Sequence, residues 1–246
     1  MTRRTALVTG ALGGLGQEIC RTLARAGCRV VAADLPADAS RLADFAAGNA
    51  GLDIAFAPLD VTDFAQCGER VRDIEARHGA LDILVNNAGI TRDATLRKMD
   101  VSQWDAVLRV NLDGAFNLCR HAVDGMQSRG FGRIVNISSI SGQTGNFGQT
   151  NYAAAKAGLH GLTMSLAREV AAKGITVNSI SPGYVETPMT RAMPAEVRER
   201  IVATIPAGRI GQPGDIARAV AFLADDAAGY ITGANLPVNG GLLMGF

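Results

Sequence analysis

Short apolar, β-branched runs alternate along the chain with longer stretches in which apolar positions recur every three or four residues. The runs at 5–9, 29–33, 54–57, 82–85, 133–138, 176–180 and 235–238 predict strands. Between them, Ile19, Leu23 and Ala26 mark one face of a first helix, and 64–77 reads as another with Val71 and Ile74 inside. Regular strand–helix alternation predicts an α/β fold, a single doubly wound domain over 1–246 with a mostly parallel seven-stranded sheet flanked by helices. No Ser/Gly/Pro-rich linker or internal repeat divides it. The rhythm breaks at 183–214, which carries Pro188, Pro194, Pro206, Pro213 and a helical piece at 195–204. Such an excursion after a strand predicts a lid over a substrate.

Composition narrows the picture. A chain of 246 residues fits one α/β domain, and 48% hydrophobic residues exclude disorder. With 24 Lys+Arg against 23 Asp+Glu there is no electrostatic footprint for nucleic acid or an anionic membrane. No apolar run approaches a membrane span, and the run at 6–8 behind Arg3 and Arg4 is too short for a secretory signal, so a soluble cytoplasmic protein is expected. Cys20, Cys28, Cys67 and Cys119 are scattered and predict reduced, buried thiols. His78, His121 and His160 lack zinc-type spacing, and no metal is expected. The 29 glycines are an excess over the usual share of about 7%. Gly27, Gly48, Gly79 and Gly174 fall at predicted helix ends, where a left-handed cap wants glycine.

The chemically informative glycines open the first helix. Gly10, Leu12, Gly13, Gly14, Leu15 and Gly16 follow the first strand, and Gly10, Gly14 and Gly16 have GxxxGxG spacing. There a bare backbone and a free helix N-terminus suit the diphosphate of a dinucleotide, as in a Rossmann-type fold. No Lys-Ser/Thr follows, which argues against a P-loop. Asp34 closes the second strand about 20 residues on, where an acid accepts the ribose hydroxyls and repels a 2′-phosphate. Arg41 is near enough to meet such a phosphate. The balance favours NAD(H), with NADP(H) the alternative.

Tyr152 and Lys156 are four apart, one turn along a single helix face. A free tyrosine with a pKa of about 10 is a sluggish acid–base. A neighbouring ammonium is expected to bring it down into a useful range.

These features, with Asn86-Asn87-Ala88-Gly89, Val110-Asn111-Leu112, Asn136-Ile137-Ser138-Ser139 and Pro182-Gly183 followed by Thr187, resemble the short-chain dehydrogenase/reductase family over essentially the whole chain. The resemblance implies that Ser139 holds the substrate carbonyl, with Ser138 a structural neighbour. It implies that Tyr152 protonates the carbonyl oxygen, that Lys156 tunes Tyr152 and holds the nicotinamide ribose, and that Asn111 holds a water linking Lys156 to solvent. It gives Asp60 and Val61 to adenine, Asn87, Ala88 and Gly89 to the cofactor floor, and Pro182, Gly183, Val185 and Thr187 to the nicotinamide side.

Within the family, segments such as Asn87-Ala88-Gly89-Ile90-Thr91-Arg92-Asp93 and Phe147-Gly148-Gln149-Thr150-Asn151-Tyr152 resemble the acetoacetyl-CoA reductases of polyhydroxyalkanoate synthesis, relatives of the 3-oxoacyl-carrier-protein reductases. That likeness implies an acyl-CoA site lined by Asp93, Lys98, Asn146, Phe147, Gln149 and Tyr184, with Asn146 standing where the likeness suggests Gln. It also implies NADPH, whereas Asp34 departs from the pattern and argues for NADH. A homotetramer is implied, built on helices around 104–126 and 152–171 and on the apolar tail ending in Gly245 and Phe246. A carrier-protein substrate is the alternative, with Arg129 and Arg133 as candidates for a docking patch. A non-catalytic dinucleotide-binding regulator is the remote one, opposed by the presence together of Asn111, Ser139, Tyr152 and Lys156.

Overall fold

A computed structural model describes residues 3–187, 190 and 194–244. Pro188 of the lid segment and Gly245 and Phe246 of the tail lie outside the described residues. The strands are β1 (Thr5–Thr9), β2 (Arg29–Asp34), β3 (Ile54–Pro58), β4 (Ile83–Asn86), β5 (Gly132–Ile137), β6 (Ile175–Pro182) and β7 (Asn235–Val238). The major helices are α1 (Gly14–Arg25), α2 (Ala39–Gly48), α3 (Phe64–His78), α4 (Val101–Leu108), α5 (Gly114–Arg129), α6 (Ser141–Thr144), α7 (Thr150–Val170), α8 (Ala195–Thr204) and α9 (Pro213–Ala224).

The strands form one sheet in the order β3-β2-β1-β4-β5-β6-β7. Every pairing in it is parallel, beyond the mostly parallel sheet expected. Successive side chains of a strand point to opposite faces, and here both faces are apolar. Val30 and Ala32 of β2 join Ile19 and Leu23 of α1 and Ile216 and Val220 of α9. Val31 and Ala33 join Val71 and Ile74 of α3, Leu118 and Met126 of α5 and Val170 of α7. Strand order reverses between β1 and β4, so their following loops part in opposite directions. That opens a crevice at the carboxyl ends of the strands, where open α/β sheets bind ligands.

Several boundaries move by a residue or two. Asp82 precedes β4, Ser138 lies past β5, and β6 runs on to Pro182. Ala26 is exposed, because α1 stops before it and Ala26 is its C-cap. Gly27, Gly79 and Gly174 have the left-handed conformation, whereas Gly48 is the last helical residue of α2, capped by Asn49. The helix expected around 104–126 is helical throughout and carries a π-helical turn, Arg109–Asp113, between α4 and α5. The segment after β6 leaves by a bridge between Val185 and Gly211 and carries α8, which Arg198 ties to Glu186 at 2.6 Å.

The docking patch is corrected at Arg133. Arg133 is buried at the amino end of β5 and donates to the carbonyls of Gly132, Gly174, Asp225 and Asp226. Its guanidinium and that of Arg4 both lie over the Phe131 ring, at 4.4 and 3.3 Å from the centroid. Arg129 bonds Glu75 and the Leu81 carbonyl. Both guanidiniums are hydrogen-bonded at the amino ends of the strands, opposite the crevice; Arg133 is buried there, while Arg129 stays exposed.

Candidate active site

The crevice begins where β1 and β4 end. Thr9 Oγ1 accepts from the N–H groups of Asn87 and Ala88, each at 3.0 Å. Asn87 Nδ2 donates back to the carbonyls of Thr9 at 2.8 Å and Gly10 at 3.2 Å. The glycine turn is thus sewn to Asn87-Ala88-Gly89. Gly10 has φ +62°, and a Cβ there would lie 2.9 Å from Ala88 Cα. A Cβ on Gly16 would lie 2.2 Å from the Gly10 carbonyl oxygen. Only glycine lets α1 start so close to β1. Gly13 caps α1 without a side-chain bond, so the N–H groups at Gly14 and Leu15 open onto the crevice.

Asp34 sits beside this turn. Its Oδ2 accepts from Leu12 N–H and its Oδ1 from Leu35 N–H, both at 2.8 Å. Each carboxylate oxygen has lone pairs to spare, so the acid braces the turn and still offers acceptors. Arg41 is exposed in the first turn of α2. Asp60 accepts from the N–H and hydroxyl of Thr62, and Val61 packs on Gly114, where a Cβ would lie 2.7 Å from Val61 Cγ2. Across the crevice the Pro182 carbonyl accepts from Ile140 N–H at 2.9 Å. Gly183 abuts Asn239, Val185 is buried, and Thr187 N–H donates to Thr190 Oγ1.

Helix α7 carries Tyr152 and Lys156 on one face, with Lys156 Nζ 5.6 Å from the centre of the Tyr152 ring. Ser138 Oγ donates to the Lys156 carbonyl at 2.8 Å, the structural part expected of it. Ser139 stands near enough to the Tyr152 phenol to favour its ionised form. Lys156 Nζ donates to the Ile137 carbonyl at 2.8 Å, and burial pushes its pKa down to about 8. The expected lowering of the Tyr152 pKa by Lys156 is corrected. Burial raises it, Ser139 lowers it, Asp93 raises it further, and the net direction is up. With its own pKa at about 8, Lys156 has released its proton before this phenol ionises, so it adds no charge to favour phenolate over that range.

Asn111 lies in the π-helical turn, buried, with Nδ2 donating to the Ile90 and Val107 carbonyls at 2.9 Å each. Its Oδ1 is buried without a partner. A Cβ on Gly89 would lie 2.7 Å from that oxygen and 3.5 Å from Lys156 Nζ. Glycine therefore keeps clear the space between the amide and the ammonium, as a bridging water requires.

The substrate-side residues divide. Gln149 Nε2 donates to Asp93 Oδ2 at 2.9 Å, and its Oε1 accepts from Asn146 Nδ2 at 3.0 Å. These three form one hydrogen-bonded rim beside Tyr152. Lys98 is exposed in a short 3-10 turn, Phe147 is 89% exposed, and Tyr184 is half-buried with its carbonyl accepting from Gly211 N–H. Among the described residues no side-chain hydrogen bond joins Lys98 or Tyr184 to the rim, and the exposed Phe147 ring follows Asn146 directly in the chain.

The family model described as enoyl-(acyl carrier protein) reductase matches residues 10–243. The chain belongs to the short-chain dehydrogenase/reductase family. It is similar to an acetoacetyl-CoA reductase of Allochromatium vinosum, 56% identical over 98% of this chain and 99% of that one. It is 49% identical to an acetoacetyl-CoA reductase of Cupriavidus necator, over the whole of both chains. A 3-oxoacyl-(acyl-carrier-protein) reductase of Escherichia coli is 48% identical over 98% of each. Membership makes this protein an oxidoreductase that binds NAD(P).

The site fits that cofactor on its own geometry: a glycine cradle that a Cβ would close, an uncapped helix N-terminus and an acid beside it. For this short-chain dehydrogenase/reductase, three contributors were not singled out by motif. Thr9 is a strand-end threonine before the glycines, a position that hints at its bond to the next loop. Asn151, fully buried, donates to the Arg92 and Gln103 carbonyls and fixes the start of α7. Ser141 emerges only from its bonds. Among the described residues no His/Cys/Asp/Glu cluster fits a metal, and no helix is long and apolar enough to cross a membrane. The four cysteines are buried and unpaired, as expected.

Proposed function

We propose that the protein reduces acetoacetyl-CoA to 3-hydroxybutyryl-CoA and prefers NADH to NADPH. The convergence of Ser139, Tyr152 and Lys156 beside the glycine cradle carries the reading, and relatives named for acetoacetyl-CoA supply the substrate. Gly10, Leu12, Gly13, Gly14, Leu15 and Gly16 would hold the diphosphate, Asp34 the adenosine ribose, and Asp60 and Val61 the adenine. Asn87, Ala88, Gly89, Pro182, Gly183, Val185 and Thr187 would enclose the nicotinamide half. When bound, NAD(P)H supplies the hydride.

The chain's own groups manage the oxygen. Ser139 and Tyr152 hydroxyls donate to the substrate carbonyl oxygen and polarise it. Tyr152 gives up its proton to that oxygen as the carbon is reduced, and a phenol kept protonated by burial suits this direction. Lys156 stabilises the phenolate so formed and, through a water on Asn111 Oδ1, returns a proton from solvent. Asp93, Asn146 and Gln149 shape the rim for the thioester, and Lys98, Phe147 and Tyr184 serve the CoA arm. Buried reduced thiols and the homology fit a cytoplasmic enzyme, and exposed aromatic faces fit a homotetramer.

The NADH preference rests on Asp34. Its carboxylate would face an added 2′-phosphate at close range, a like-charge contact that costs several kcal/mol. The test follows NADH and NADPH oxidation with acetoacetyl-CoA and with the same acyl group on acyl-carrier protein. Expected are kcat/KM at least about tenfold higher with NADH, equal to about 1.4 kcal/mol, and higher with CoA than with the carrier protein. Asp34→Ala is expected to erase the cofactor preference, and Tyr152→Phe to remove turnover while cofactor still binds. NADPH preference by the same factor rejects the Asp34 reading alone. Faster turnover of the carrier-protein substrate moves the function to 3-oxoacyl-carrier-protein reduction.

A further inference from the structure

Ser141 is bonded to both halves of the catalytic centre. Its N–H donates to Ser139 Oγ at 3.1 Å, and its hydroxyl donates to Gln149 Oε1 at 3.2 Å. Gln149 is the N-cap residue of α7, three before Tyr152. Its amide orientation is fixed from the other side, because the Asp93 carboxylate accepts from Nε2 and so turns Oε1 toward Ser141 and Asn146. One residue further on, a Cβ at Gly142 would lie 2.7 Å from the Lys156 carbonyl carbon, so α6 rests directly on α7. Ser141 is itself buried.

We infer that Ser141 is a positioning residue for the reduction: its hydroxyl holds the Ser139 turn against the tyrosine helix, and its N–H aims the Ser139 hydroxyl. The inference rests on the carbonyl reduction proposed above. A serine hydroxyl has one hydrogen to donate and two lone pairs. With one lone pair of Ser139 taken by Ser141 N–H, its hydrogen swings away from that turn, toward the Tyr152 phenol and the place where the substrate oxygen must sit. The strap of Asp93, Gln149, Ser141 and Ser139 links the mouth of the site to the reacting oxygen. The charged groups facing the phenol are Asp93 from the loop after β4 and Lys156 from α7 itself.

Ser141→Ala removes the hydroxyl and keeps the N–H. Misplacement of a catalytic group by a fraction of an ångström is costly, and a drop in kcat of about tenfold is expected. KM for acetoacetyl-CoA and the cofactor Kd should stay within about twofold, since no ground-state contact is lost. In the alcohol-oxidising direction the alkaline rise in rate should move to higher pH by about half a unit, because a loosened Ser139 stabilises phenolate less. Ser141→Thr and Ser141→Val both add bulk and differ in the hydroxyl, so they separate folding cost from function. Thr should keep most of the turnover and the wild-type pH profile, and Val should match Ala. Equal turnover and equal pH profiles for Thr and Val overturn the role. A wild-type enzyme inactive on acetoacetyl-CoA but active on another ketone overturns the substrate reading instead, and the same variants then decide Ser141 on that ketone.

Discussion

Lys156 is held at a cost. Its ammonium is buried with one carbonyl partner, and its pKa falls from 10.5 to about 8 for want of water. Between pH 8 and 10.5 the unfolded chain keeps a proton that the folded one has released, so this residue makes the protein more stable as pH rises through that window. Below pH 8 both states are charged and the folded state carries the whole penalty, on the order of 3 kcal/mol. Lys156→Met removes the charge in an unbranched chain of similar reach and strands the Ile137 carbonyl, a loss of about 1 kcal/mol. The cofactor-free variant should therefore melt several degrees higher than wild type at pH 7, given about 2–4 °C per kcal/mol at this size. Its advantage should shrink as pH climbs from 8 toward 10.5, and its turnover should be lost. Calorimetry across that pH range decides it; a variant that melts below wild type at pH 7 shows the lysine to be a net stabiliser. A buried charge with so little compensation is the mark of a group kept for chemistry.

At the scale of elements, the β1–α1 junction depends on particular glycines. Gly16→Ala puts a Cβ 2.2 Å from the Gly10 oxygen and 2.8 Å from Ala11 Cα, both backbone atoms that cannot swing aside. The helix must back away from the strand, at a cost of about 2–3 kcal/mol. Cofactor affinity should fall by tenfold or more, because the diphosphate cradle widens with it. Gly13→Ala is the control: φ there is −77° and the nearest atom is 3.4 Å away, so stability should change by less than about 1 kcal/mol. Nicotinamide fluorescence titration with thermal melts separates the two, and equal behaviour would deny Gly16 its steric part. This junction was legible in the sequence because a steric demand on the backbone leaves glycine as its only answer. The seven strands were legible because a buried parallel sheet writes long β-branched runs. The π-helical turn at Asn111 was not, since the hydrophobic period continues through it and the interruption is set by the bonds of Asn111 to Ile90 and Val107. The role of Ser141 and the burial of Arg133 were hidden for a related reason. The partners of both residues come from other segments, and a sequence shows a donor without showing what it meets.

At the scale of the molecule, several aromatic rings stand at the surface. Phe64 at the start of α3, Trp104 on α4 and Phe116 on α5 are all exposed, and the Phe64 and Phe116 rings stack at 6.5 Å. Arg109, Asp113 and Asn117 border the cleft that the two phenylalanines line. An exposed apolar cluster rimmed by polar groups is the form of a protein interface. A second exposed set, Phe222 and Tyr230, lies at the end of α9 and just beyond it, before edge strand β7. Two such sets on one chain would suffice for the proposed homotetramer, whereas one closes only a dimer. The π-helical turn joins α4 to α5, so the aromatic face and the Asn111 amide share a backbone. Phe116→Arg places a charge in the first patch; under the homotetramer proposed above, the mass in sedimentation velocity should fall from tetramer to dimer. Turnover should fall with it, because α4 and α5 lose the surface that braces Asn111, while the Tyr152 helix keeps its own packing on the sheet. A variant with wild-type mass would remove the aromatic face from the assembly. A dimer with full turnover would show that the site is complete without it.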